Sequence, residues 1–235
     1  QGWDVSKPVA TGDLPLPSFI GGWVGFAGYD TARYFEIDVL PFSNAPTDDR
    51  NLPDLHMALY QTIVVFDHVA KIVHVIHNAM HDQNVSTEET WQDANKELDR
   101  VVYLLQAETQ NIPVGTIEMD LSMPPPIPEK STMTKEEFEE AVETCKSYIA
   151  AGDAFQIVIS QRFEHNATVD PFEIYRTLRV VNPSPFMFYL KVPDAILVGS
   201  SPEVMVRVED GKVTVRPLAG TRQRGVTEDE DHALA

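Results

Sequence analysis

Apolar residues recur along this chain at two spacings, every second position in some stretches and every third or fourth in others. These are the periods of strand and helix. Residues 19–29, Phe-Ile-Gly-Gly-Trp-Val-Gly-Phe-Ala-Gly-Tyr, interleave aromatic and aliphatic residues with glycine, which predicts buried strand where backbones approach closely. Residues 57–60, 62–66 and 72–76 form a second β-rich stretch. The polar run from Asp67 to Lys71 supplies the turn of an antiparallel hairpin there.

The period then changes to that of a helix. Ser86 with Glu89 has the form of a capping box, and Trp91, Ala94, Leu98, Val101, Val102 and Leu105 follow on one helical face. The proline run at 123–128 fixes φ and removes backbone donors, so it reads as an extended connector. Thr134 and Glu137 make a second capping box. Behind it Phe138, Ala141, Val142, Cys145, Tyr148 and Ile149 line one face, up to a stop at Gly152. A strand is expected next, over 154–163. Asp170 and Pro171 then open a helix running to about Val181. Strands are expected at 186–190, 196–200 and 204–208. A turn over 209–212, with Gly211 free to take positive φ, leads to a last strand at 213–217.

Composition narrows the function classes. Of 235 residues, 43% are hydrophobic, which is ordinary for a globular protein. Eighteen Lys and Arg against 36 Asp and Glu give a formal charge of -18, a field that repels nucleic acid and anionic membrane. One cysteine, Cys145, cannot form an internal disulfide and fits a reducing compartment. His68, His74 and His77 crowd the first hairpin without the paired spacing of a metal site, so no metal is assigned to them. The glycine-rich 19–29 stretch lacks the Gly-Lys-Ser/Thr of a phosphate loop. No signal peptide or long apolar span is visible. A chain opening on Gln1 and stopping inside an acidic helix start reads as a piece of a longer protein.

Four motifs occur in order within some seventy residues: Gly152-Asp-Ala-Phe-Gln-Ile-Val-Ile-Ser160, Asn182-Pro-Ser-Pro-Phe-Met187, Ser201-Pro-Glu203 and Pro217-Leu-Ala-Gly-Thr-Arg222. Together they resemble anthranilate synthase component I, one of the chorismate-utilising enzymes. Gly21-Gly-Trp-Val-Gly-Phe, Tyr29-Asp30 and Leu52-Pro-Asp-Leu extend the resemblance over nearly the whole chain.

The resemblance implies amination of chorismate at ring carbon 2, loss of the 4-hydroxyl, and elimination of pyruvate to leave anthranilate. Glu203 matches the family's proposed acid. A carboxylic acid with a raised pKa suits a poor leaving group, although a carboxylate after Pro202 is also an ordinary turn residue. Gly220 and Thr221 match the chorismate-contacting pair, where a glycine lets a backbone N–H approach and a hydroxyl hydrogen-bonds. Asn182, Pro183, Pro185, Phe186 and Met187 resemble the tryptophan-sensing segment, or else a stiff connection from helix to strand.

Two positions separate sister enzymes. In the isochorismate- and salicylate-forming relatives a lysine base stands where this chain has Gln156, and an amide is no base at neutral pH. In aminodeoxychorismate synthases a lysine nucleophile often stands at the position of Ala219. Gln156 and Ala219 therefore favour ammonia as nucleophile and carbon 2 as its target, with aminodeoxychorismate synthase or a non-catalytic tryptophan-binding module as the alternatives.

The expected fold is α+β, with two subdomains, largely antiparallel sheets and flanking helices, incomplete in this chain. Residues 1–122 form an N-terminal region, 123–133 a connector, and 134–235 the first part of the catalytic domain. The family's magnesium ligands are expected downstream of Ala235, so no metal ligand is assigned. The inhibitor pocket's Leu-Leu-Glu-Ser half has no match before Trp3. Expected partners are a glutamine amidotransferase subunit or domain, chorismate and tryptophan. The expected compartment is the cytoplasm, or the plastid stroma.

Overall fold

The computed structural model describes residues 15–107, 124, 127–216 and 223–234. Two units divide the chain, Gln1–Gly115 and Thr116–Ala235, and every strand pair in them is antiparallel. The α+β class and antiparallel pairing expected from the sequence are observed.

In the first unit, β1 (Gly22–Ala27) pairs with β2 (Leu55–Tyr60), from Gly22 opposite Tyr60 to Ala27 opposite Leu55. Backbones approach closely at Gly25, where an added Cβ would lie 1.8 Å from the His56 carbonyl oxygen. The expectation that this stretch is buried does not hold throughout, since Trp23 is 61% exposed. A two-stranded sheet covers little of its own faces. Next, β3 (Thr62–Asp67) and β4 (Ile72–His77) form the predicted hairpin. Its turn is tied by the Asp67 carboxylate, which accepts from the Val69 and Ala70 N–H groups, both at 2.8 Å. Lys71 takes a φ of 59° to close it.

Helix α1 (Thr87–Gln106) starts where its cap predicts, with Ser86 Oγ accepting from the Glu89 N–H at 3.1 Å. It packs on β4. Thr62 joins His77 Nδ1 at 2.8 Å and donates to Glu97 at 3.5 Å. Glu97 in turn pairs with Arg100, whose hydrogen bond holds the Glu97 carboxyl below its ordinary pKa.

The second unit opens with β5 (Lys130–Ser131), paired with β6 (Phe163–Glu164). Between them lies α2 (Lys135–Ala151), with both bonds of the predicted capping box: Thr134 Oγ1 accepts from Glu137 N–H, and Glu137 accepts from Thr134 N–H. Gly152 ends this helix at φ 87°, the left-handed conformation that glycine adopts without strain.

The strand expected over 154–163 is not formed. Residues 154–162 are in no strand, and among the described residues only Phe163 and Glu164 of this stretch find a ladder partner, in Ser131 and Lys130. A run of β-prone side chains does not make a strand unless another backbone takes up its N–H and C=O groups. Accordingly Phe155 is 101% and Val158 85% exposed.

Helix α3 (Pro171–Val181) is capped by Asp170, whose carboxylate accepts from the Phe172 N–H at 2.7 Å. It packs against β7 (Phe186–Val192) and β8 (Ala195–Ser201), with Phe172 edge-on to Tyr189 at 5.5 Å. β9 (Val206–Glu209) and β10 (Lys212–Val215) form the predicted hairpin. Its Asp210 and Gly211 have φ of 50° and 75°, the paired positive values of a tight hairpin turn. The first of these strands begins two residues later than the expected 204. A short acidic helix, α4 (Glu228–Leu234), follows the gap in the described residues. Among the described residues, Val192 at 6% and Arg33 at 7% exposure are the buried side chains, and no helix is long and apolar enough to cross a membrane.

Candidate active site

Helix α3 stops because Pro183 disfavours helical backbone at the residue before it. Asn182 accordingly leaves the helix at φ −139° and ψ 67°, with its N–H still bonded to the Leu178 carbonyl at 2.8 Å. Four residues later the chain enters β7 at Phe186. β7 and β8 pair without a break, from Val192 opposite Ala195 to Phe186 opposite Ser201. This register fixes what lies at the far end of the hairpin. Met187 stands opposite Ser200 and Phe186 opposite Ser201, and Glu203 follows two residues after the last pair.

Residues 182–187 and Glu203, nominated separately from the sequence, are thus brought to one end of one hairpin. Two serines tie them down. Ser200 Oγ donates to the Asn182 carbonyl at 2.6 Å, across 18 residues of sequence. Ser201 Oγ donates to the Glu203 carbonyl at 3.1 Å and lies 3.5 Å from the Glu203 nitrogen, so it braces the backbone that carries the carboxylate. Glu203 is half-buried. Ser184 Oγ, in the middle of the turn, is buried and has no hydrogen-bond partner among the described residues.

The sequence assigns neither serine a role, although Ser201 opens the Ser201-Pro-Glu203 motif. The signal was present for Ser201, because a serine two residues before a turn residue readily bonds that residue's backbone. For Ser200 there was none, since its partner lies on another element.

The remaining nominated residues stand elsewhere. Gln156 is exposed and lies in irregular backbone, because the strand expected to present it has no partner among the described residues. Ala219, Gly220 and Thr221 lie outside the described residues. Among the described residues no group of three or more His, Cys, Asp or Glu is placed to hold a metal ion. These residues do not by themselves fit a magnesium site.

The first unit has a polar cluster of its own, centred on Asp54 of Leu52-Pro-Asp-Leu. The Asp54 carbonyl accepts from Gly28 N–H at 2.7 Å and Thr31 Oγ1 at 2.8 Å. Its carboxylate accepts from the Tyr34 hydroxyl at 3.0 Å, and that bond pushes the Tyr34 pKa up. Arg33, buried, pairs with Asp30 and donates to the Pro41 carbonyl at 3.3 Å. An open cleft of roughly 550 Å³ lies beside Tyr34, Leu52, Pro53 and Asp54. The bonds to the Asp54 carbonyl tie the residues just after β1 to the one just before β2, so the cluster acts as a clasp between those strand ends.

Comparison with known proteins agrees with the motifs. The chain is 50% identical over 229 residues to anthranilate synthase alpha subunit 2, chloroplastic, of Arabidopsis thaliana, covering 97% of this chain and 37% of that protein. It is 40% identical over 224 residues to anthranilate synthase component 1 of Acetivibrio thermocellus, covering 94% of this chain and 44% of that protein. The crystal structure of anthranilate synthase component I from Streptococcus pneumoniae TIGR4 matches with a TM-score of 0.64 at 34% identity, over 88% of this chain and 43% of that one. The chain therefore spans less than half the length of these relatives. The family described as chorismate binding enzyme matches residues 4–235, and this chain belongs to that family.

Proposed function

We propose that this chain is part of the aminating component of an anthranilate synthase, which converts chorismate and ammonia to anthranilate, pyruvate and water. Ammonia forms the new C–N bond at ring carbon 2 as the C–O bond at carbon 4 breaks. Glu203 gives its proton to the departing hydroxyl, which leaves as water. Elimination of the enolpyruvyl group as pyruvate then makes the ring aromatic. Gly220 and Thr221 contact chorismate, and Gln156 and Ala219 supply neither base nor nucleophile. Water and lysine attack are thereby disfavoured relative to ammonia.

The observation that carries this reading is the β7–β8 register, which sets the Glu203 backbone beside residues 182–187. It supports one hairpin serving both turnover and its control by tryptophan, with Asn182, Pro183, Pro185, Phe186 and Met187 in the effector segment. A glutamine amidotransferase partner supplies the ammonia, and the plant relative named chloroplastic supports plastid stroma as well as cytoplasm for the compartment.

The test is product analysis with the protein at its full length, given chorismate, magnesium and ammonium chloride. One anthranilate and one pyruvate per chorismate are expected. A para-amino product retaining its enolpyruvyl group would instead assign the chain to aminodeoxychorismate synthases.

A further inference from the structure

We propose that the Ser200 hydroxyl couples the effector turn to the acid, so that the state of residues 182–187 is felt at Glu203. The proposal rests on the function proposed above and adds the residue through which its regulation passes.

The Asn182 peptide is held on both sides. Its N–H belongs to the last turn of α3, through the Leu178 carbonyl. Its C=O receives the Ser200 hydroxyl at 2.6 Å, a short bond for this pair of groups. Ser200 is followed at once by Ser201, which braces the Glu203 backbone. Two adjacent side chains therefore face opposite tasks, one reading the turn and the other fixing the carboxylate's backbone.

Pro183 and Pro185 restrict the turn's own dihedrals, so movement there shifts it as a piece and is not absorbed locally. Ser184 Oγ, buried without a partner inside the same turn, leaves a polar group whose satisfaction changes when a ligand arrives. A turn that moves on binding pulls on Ser200. The strand end carrying Glu203 moves with it.

Coupling of this kind is reciprocal: if tryptophan weakens chorismate binding, chorismate weakens tryptophan binding by the same factor. Ser200→Ala cuts the link, and Ser200→Thr keeps the hydroxyl. In the full-length enzyme, Ser200→Ala should retain kcat with ammonium chloride within about twofold, while the tryptophan concentration for half-inhibition rises about tenfold, the scale on which coupling residues act. Calorimetry should show tryptophan still binding to Ser200→Ala, with chorismate lowering its affinity less than in the parent enzyme. Ser200→Thr should behave as the parent enzyme.

Inhibition of Ser200→Ala equal to that of the parent overturns the coupling alone. Equal loss of inhibition in Ser200→Ala and Ser200→Thr also overturns it, since a general disturbance of the hairpin then accounts for both. A parent enzyme that aminates chorismate but ignores tryptophan overturns the regulatory reading itself, and the coupling with it.

Discussion

At the residue scale, the proposed function gives Glu203 the hardest single task, protonating a hydroxyl as it leaves. Its backbone is held by Ser201 at 3.1 Å, and general acids of this kind contribute about 10²- to 10⁴-fold in rate. Glu203→Gln keeps the shape and removes the proton, so kcat with ammonium should fall by about that factor while tryptophan binding, measured by calorimetry, is retained. A Glu203→Gln enzyme with unchanged kcat would remove the residue from the mechanism. Asp67 offers a purely structural counterpart. Backbone N–H bonds from Ala70 and Val69 hold its pKa below the usual carboxylate value. A depressed folded-state pKa contributes stability that is present above the unfolded pKa and lost as pH falls through the folded one. Asp67→Asn should therefore lower the melting temperature at neutral pH, and the difference should vanish in acid. The effect is small, because the group is exposed to solvent.

At the scale of elements, how far the sequence could be read depended on how local each cause was. Ser86, the Thr134–Glu137 pair, Gly152, and Asp170 with Pro171 all act within four residues of the backbone they cap, and α1, α2 and α3 begin or end where those residues dictate. The 209–212 turn was legible for the same reason. The strand expected at 154–163 failed because ladder partners are non-local: β6 is defined by Lys130 and Ser131, more than thirty residues earlier and in a polar stretch without strand pattern. The same limit hid Ser200, whose acceptor is 18 residues away. Individual motifs could nominate Glu203 and residues 182–187, but only the β7–β8 register joins them.

Glycines test the strand pairs directly. A Cβ at Gly25 would meet the His56 backbone, its oxygen at 1.8 Å, whereas one at Gly199 would meet the tip of the Phe188 ring at 2.2 Å. Backbone in a ladder cannot step aside, and a ring tip can. Gly25→Ala should cost about 3 kcal/mol or more and Gly199→Ala about 1 kcal/mol, on the scale of overpacking penalties. Denaturant unfolding of the two variants checks the order.

At the scale of the whole molecule, the described residues bury little. Five two-stranded sheets leave edges and faces open, and large apolar side chains such as Phe35 at 81% and Met205 at 84% meet solvent. Open edges and apolar faces are partner-seeking surfaces. The 235-residue chain by itself should accordingly bind a fluorescent apolar dye strongly and show no turnover of chorismate with ammonia. Measurable anthranilate from this chain alone contradicts that expectation.

The proposed branch of chemistry is amination ortho to the carboxylate with ammonia as the nucleophile. It is tested most directly by supplying the full-length protein with chorismate, magnesium and ¹⁵N-ammonium chloride, without glutamine, and locating the label by NMR. ¹⁵N is expected on the ring carbon next to the carboxylate, with one pyruvate released per label incorporated. Label para to the carboxylate, or a hydroxylated product carrying no ¹⁵N, contradicts it.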